Sequence, residues 1–213
     1  LSHKTAFIVH DENIQNFNEN NLEIYTQNGY FLKNFKSEKI NLPDFFTIEK
    51  NGGIKTIFIY NDNKFALISS LKNECFYASI ILLNNSKEIL KTKCLPDNKI
   101  DFNGLGSSNI HYNNKIFLSI GAPEQVTHKI AKLAQDNKSL FGKIIEIDKS
   151  NLDKIITNES EYLNPKIFTK GHRNPQGLTR IGDVLFSVEH GPRGGDELNK
   201  IIEGRNYGWP EVS

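Results

Sequence analysis

Apolar residues in this chain gather in short runs rich in Ile, Val, Phe and Tyr, at residues 22–26, 45–48, 54–60, 65–69, 76–83, 116–120, 144–147 and 184–188. Clusters of Asn, Asp, Gly and Pro separate them, as in "YNDNK", "LNNSKE", "LPDNK" and "HYNNK". Short strands roughly 8 to 12 residues apart with turn signals between them predict an all-β fold: a sandwich, a barrel or a propeller. One helix is predicted, over 126–133, where Val126, Ile130, Leu133 and Ala134 share a face. It reads as an excursion between strands, not as a domain.

No clean repeat is visible, but a phrase recurs: a polar turn followed by "KFALIS", "KIFLSIG" or "DVLFSVEHG". Each opens after Asn, Asp or Gly and closes on small residues, the pattern expected of successive inner strands of propeller blades. Sandwich strands give much the same pattern, so periodicity leaves both folds open. At 213 residues the chain is long enough to bury a core without disulfide staples, and it reads as a single domain over 1–213.

Charge narrows the partners. Lys and Arg total 26 against 25 Asp and Glu, with no basic stripe, which argues against nucleic acid and anionic membrane surfaces and toward a small or neutral ligand. No apolar run approaches the ~20 residues of a membrane-spanning helix, and "LSHKTAFIVHDENIQ" lacks the charged start, apolar centre and small-residue cleavage site of a signal peptide. The chain begins with Leu, contains no Met and stops shortly after "GWP", so residues are expected to be missing at one or both ends. Cys75 and Cys94 flank a stretch that reads as two strands around Asn84 and Asn85. A cross-hairpin disulfide and two buried thiols are both compatible with that placement. Two cysteines with no Cys-x-x-Cys and no paired His argue against a zinc site.

Two stretches carry candidate chemistry. "TKGHRNPQGL" (169–178) places His172, Arg173 and Asn174 before Pro175 and between Gly171 and Gly177. Pro175 biases the preceding Asn away from helix, so three polar side chains sit on a stiff loop able to aim a guanidinium at a ligand. Satisfying buried loop backbone is the competing role for Arg173 and Asn174. In "VEHGPRGGDELN" (188–199) a strand runs into Glu189, His190, Gly191 and Pro192. Gly191 permits close approach to a ligand, the carbonyls of Gly191 and Pro192 can face a hard cation, and Asp196 and Glu197 add carboxylates. A solvated Arg193–Asp196 pair among ordinary turn glycines is the plainer alternative.

"GHRNPQGL", "EHGPRGGDELN" and "GRNYGWP", in that order and spacing, resemble the glucose/sorbosone dehydrogenase family, six-bladed β-propellers related to soluble glucose dehydrogenase dependent on pyrroloquinoline quinone (PQQ). "AQDNKSLFGKIIEID" (134–148) is similar to the family's segment upstream of the first motif. The resemblance covers about 102–210, while residues 1–100 match only in character. It implies a propeller and an oxidoreductase that takes hydride from a sugar hydroxyl, with PQQ and calcium as cofactors. It further implies that Arg173 and Asn174 contact the quinone, that the carbonyls of Gly191 and Pro192 hold calcium, and that His190 and Asp196 belong to the pocket. In that scheme calcium polarises the quinone and Arg173 stabilises the negative charge that develops. A sugar substrate and a periplasmic or extracellular setting are implied with it.

Two departures qualify what the resemblance implies. Counting back from "KIFLSIG", the family's proton-accepting His falls on Asn103 in "DFNGLGSS". An amide oxygen accepts hydrogen bonds but does not take up a proton near neutral pH. His111 is near in sequence, but "SNIHYNNK" puts it at the start of the following turn. At about 40 to 50 residues per blade, the chain holds roughly four or five blades of six. That predicts a fragment whose open sheet edges invite self-association. A dehydrogenase and a non-catalytic propeller that binds carbohydrate or a protein partner therefore both stand as expectations.

Overall fold

The computed structural model describes residues 6–9, 23–33, 36–96, 99–123 and 128–212. Its strands form four antiparallel meanders in which every neighbour in sequence is a neighbour in the sheet. The first holds β1 (Ala6–Val9), β2 (Glu23–Thr26), β3 (Tyr30–Lys33) and β4 (Lys36–Lys39), and the second β5 (Ile54–Tyr60), β6 (Asn63–Lys72), β7 (Cys75–Leu82) and β8 (Lys87–Lys91). The third holds β9 (Asn109–Tyr112), β10 (Lys115–Ile120), β11 (Lys143–Asp148) and β12 (Lys166–Lys170), and the fourth β13 (Pro175–Ile181), β14 (Val184–Glu189) and β15 (Glu197–Ile201). First strands of consecutive sheets lie side by side: β1 by β5, β5 by β9, β9 by β13. That order is the radial arrangement of propeller blades.

Burial on the second strands decides between propeller and sandwich. In β6, Phe65 and Leu67 pack into the core between the second and third sheets, while Ala66 and Ile68 pack between the first and second. In β10, Ile116, Leu118 and Ile120 face the second sheet and Phe117 faces the fourth. A sandwich leaves alternate residues of each strand to solvent. Here both faces are covered by neighbouring blades, which is why these strands read as continuous apolar runs. The fold is a β-propeller with four blades among the described residues.

Several expectations need correction. "KFALIS", "KIFLSIG" and "DVLFSVEHG" occupy β6, β10 and β14, the second strand of each blade, because the innermost strands β5, β9 and β13 precede them. Residues 45–48 form no strand. The Phe46 N–H closes a turn onto Pro43 O, Phe46 makes a single bridge to Ser70, and a 3-10 turn at Glu49–Asn51 follows. The expected helix is α1 (His128–Ala131), continued by a 3-10 turn at Lys132–Ala134. Residues 22, 126 and 127 lie outside the described residues. A second helix, α2 (Lys149–Ile156), was not anticipated; it buries Leu152 and Ile155, three positions apart, against the main core. Cys75 and Cys94 form a disulfide across the β7–β8 hairpin, with Cα atoms 5.4 Å apart.

Candidate functional site

The chain crosses from the third blade to the fourth between β12 and β13, through residues 171–174. Gly171 takes φ +77°, and a Cβ there would collide with the Asn206 side chain. Close approach of 206–209 is what demands glycine. Tyr207 N–H donates to Lys170 O at 2.8 Å and Trp209 N–H to Gly171 O at 3.0 Å, so "NYGWP" is strapped across the crossing. Gln135, just beyond α1, holds the strap from the other side, donating to Trp209 O at 2.6 Å and to Asn206 Oδ1 at 3.0 Å.

Beneath the crossing lies a closed polar network. His172 and Glu189 are 0% and 4% exposed. His172 Nδ1 meets Glu189 Oε1 at 2.5 Å, its Nε2 meets Thr169 Oγ1 at 2.8 Å, and its ring stacks on Tyr207 with centroids 4.6 Å apart. Ser187 Oγ and Asn199 Nδ2 donate to the same carboxylate oxygen at 3.0 and 3.3 Å. Burial alone raises the Glu189 carboxyl, but the hydrogen bond and charge of His172, with help from Ser187 and the Arg173 N–H, hold it below the usual carboxylate range. The Arg173 N–H donates to Glu189 Oε2 at 3.2 Å. The buried carboxylate thereby fixes the backbone from which Arg173 projects.

The Arg173 guanidinium reaches over the second loop. Its Nη1 donates to His190 O at 2.8 Å and Gly191 O at 3.3 Å, and its Cζ lies 5.3 Å from the Trp209 ring centroid. That loop is folded by its own contacts: Gly191 N–H donates to Asp196 Oδ1 at 3.0 Å, and His190 Nδ1 lies 3.4 Å from Asp196 Oδ2. Gly195 N–H closes a 3-10 turn onto Pro192 O at 3.0 Å. A Cβ on Gly191 would collide with Gly195 O, so only glycine fits. Arg173, His190, Gly191, Pro192, Tyr207 and Trp209 border one small recess. Two buried donors there, Arg173 Nε and Trp209 Nε1, have no hydrogen-bond partner.

The expected site residues are thus partly assembled. Arg173, His190, Gly191 and Pro192 meet at the recess, and Asp196 braces its loop. Asn174 instead ties blades together. Its Oδ1 accepts from Gly106 N–H at 2.8 Å and Gln176 Nε2 at 3.1 Å, and its carbonyl accepts from His190 N–H at 3.1 Å. Asn103 is exposed on a 3-10 turn at Phe102–Gly104, with its N–H on Asp101 Oδ1 at 2.9 Å. It shares the end of the inner strands with the recess, because Gly106, three residues on, bonds Asn174. Sequence reasoning missed Glu189 and Trp209 as site residues. Glu189 carried a signal: in "VLFSVE" it shares parity with Leu185 and Ser187, so it falls on a buried face of β14.

The chemistry of the donors bears on both implied cofactors. The oxygens of an anionic quinone suit the unpartnered donors of Arg173 and Trp209. The carbonyls of Gly191 and Pro192, named for calcium, each accept a hydrogen bond, from Arg173 Nη1 and from Gly195 N–H, and each keeps a second lone pair.

Fold and site together define a propeller with a small recess, carrying two unpartnered donors, at one end of its inner strands. Residues 80–213 match the family described as Glucose / Sorbosone dehydrogenase, and the chain belongs to that family. It is similar to quinoprotein glucose dehydrogenase B of Acinetobacter calcoaceticus, at 36% identity over 126 residues, which is 55% of this chain and 24% of that protein. It is also similar to aldose sugar dehydrogenase YliI of Escherichia coli, at 37% identity over 100 residues, 45% of this chain and 25% of that one. The match therefore spans about a quarter of the length of either relative. A solved glucose dehydrogenase shares the fold with a TM-score of 0.67 at 21% identity, over 100% of this chain and 71% of its own.

Proposed function

We propose that this chain carries part of the site of a sugar dehydrogenase that oxidises an aldose hydroxyl with PQQ as electron acceptor. The observation that carries the reading is the pair of unpartnered buried donors, Arg173 Nε and Trp209 Nε1, on one recess. Leaving such donors unmade costs roughly 1–3 kcal/mol each, and a ligand with anionic or quinone oxygens relieves both. PQQ, when bound, supplies a two-electron acceptor. The chain's own residues bind and orient: Arg173 offers charge and N–H groups, Trp209 a ring face and a donor, and Gly191 a backbone without a Cβ in the way. Glu189 and His172 hold Arg173 in place, and the 206–209 strap keeps water from the network below.

Among the described residues no helix is long and apolar enough to cross a membrane. The Cys75–Cys94 disulfide supports an oxidising compartment, periplasmic or extracellular. The test is direct binding. Trp209 is the sole tryptophan, so PQQ should quench the protein's indole emission and shift its own absorbance. Trp209→Phe, which keeps a ring and loses the N–H, should weaken binding about tenfold by the absorbance titration. A protein that neither quenches nor perturbs the quinone, and reduces no dye with any aldose, rules the reading out.

A further inference from the structure

Alcohol oxidation needs a group to take the hydroxyl proton, and the amide of Asn103 cannot serve. His172 is closed to solvent with both ring nitrogens committed. At the same end of the inner strands stands Lys55, second residue of β5. Its half-buried side chain turns back so that Nζ donates to Asn51 O at 2.9 Å and to Phe102 O at 2.7 Å. Phe102 opens the turn that carries Asn103, and Gly106, four residues later, bonds Asn174 Oδ1. Four residues span at most about 14 Å, so the amine and the Arg173–Asn174 loop lie at the same end of the inner strands. Asp101 faces the amine from that turn, its Oδ1 occupied by Asn51 Nδ2 at 3.0 Å and Asn103 N–H at 2.9 Å.

A second buried lysine is bonded differently. Lys143 Nζ donates to three carbonyls, Leu133 O at 2.9 Å, Ala134 O at 2.8 Å and Phe141 O at 2.9 Å, which takes all three N–H groups of an ammonium even though burial lowers this amine to about 7. Lys55 has two. A neutral amine donates twice and keeps one lone pair, so the two carbonyls satisfy the neutral form completely and leave the lone pair for an incoming proton. Burial lowers this amine to about 8, with Asp101 pulling the other way.

We propose that Lys55 Nζ accepts the substrate's hydroxyl proton in this chain, the role Asn103 cannot fill. The assignment rests on the dehydrogenase reading above. The O–H proton passes to the amine, giving the ammonium, and the C–H bond breaks with its electron pair leaving as hydride to the quinone. The sugar carbon–oxygen bond becomes C=O, and the two electrons lost by the sugar are those gained by the quinone.

Lys55→Arg tests this, because it keeps the cation and both carbonyl bonds but cannot release a proton. With PQQ and an aldose, wild-type kcat should rise with pH to a plateau above about 8. Lys55→Arg should lose that limb and about 100-fold in kcat, with PQQ affinity by absorbance unchanged. A second readout needs no turnover. Competitive acetylation of the intact chain across pH, read by peptide mass spectrometry, should place the Lys55 midpoint near 8, below exposed lysines at about 10.4. A Lys55→Arg variant that keeps its rate and pH limb overturns the assignment while the dehydrogenase reading stands, as does a limb that disappears in His190→Gln instead. An ordinary acetylation midpoint overturns it as well. Failure of wild type to bind PQQ removes the dehydrogenase reading and the assignment with it.

Discussion

His172 Nδ1 and Glu189 Oε1 lie 2.5 Å apart, with both side chains closed to solvent. The pair ties the end of β14 to the crossing between the third and fourth blades, and the other carboxylate oxygen holds the Arg173 N–H. Stability and ligand geometry are therefore coupled at one carboxylate. Glu189→Gln leaves His172 without its charged partner and should cost about 3 kcal/mol in urea unfolding, since breaking a buried pair from one side is expensive.

The same carboxylate sets an acid limb. Its folded value lies below the ordinary 4.5, so near that pH the unfolded chain binds more protons than the folded one, and stability rises with pH there. The contribution is complete above the unfolded value and is lost as pH falls through the depressed folded value. Thermal melts of wild type between pH 6 and pH 3, an interval of roughly three units about the carboxylate range, should fall more steeply than those of Glu189→Gln. Parallel curves would show that the Glu189 charge does not drive the limb.

Lys143 fastens the 3-10 turn after α1 to the start of β11, with all three ammonium donors on carbonyls. Lys143→Met keeps much of the stem but takes the donor from Phe141 O, at roughly 1–3 kcal/mol, while Leu133 O keeps the Asp136 N–H and Ala134 O keeps the Gly171 N–H. The urea midpoint should drop by the equivalent of at least about 1 kcal/mol with an unchanged slope. A change within about 0.5 kcal/mol, the range of an ordinary surface substitution, would falsify this account.

How much of this was legible before the fold was known depends on what each residue faces. Runs such as those in β5, β6 and β10 were readable because two neighbouring blades bury both their faces. β4 ("KSEK") and β15 ("ELNKI") were not, since outer strands with solvent on one side need little apolar sequence. Arg173, His190 and Gly191 came through as a motif, and the recess unites them. Asn174 carried the right motif but plays a different part, because its partner Gly106 is 68 residues away in sequence and no local pattern reveals that bond. Lys55 was invisible for the same reason: within "IKTIFIY" it looks like the polar member of an alternating strand, and only the fold brings Phe102 O to its amine.

The fourth sheet carries the remaining consequence. One of its faces packs on the third blade through Leu178, Leu185 and Ile201 against Phe117. The opposite face pairs Val188 with Leu198 across β14 and β15, 50% and 72% exposed, and Ile181 on the same face is 70% exposed. Among the described residues nothing covers these side chains, and β15 also presents an unpaired edge. Apolar side chains on an open sheet edge promote association. The 213-residue chain should therefore sediment as a concentration-dependent mixture, and Leu198→Asp combined with Val188→Lys should shift it to monomer without lowering its melting temperature, since neither side chain is buried. Sedimentation equilibrium decides: a wild-type chain monomeric at every concentration, or a double variant that associates as strongly, shows that this face does not mediate self-association.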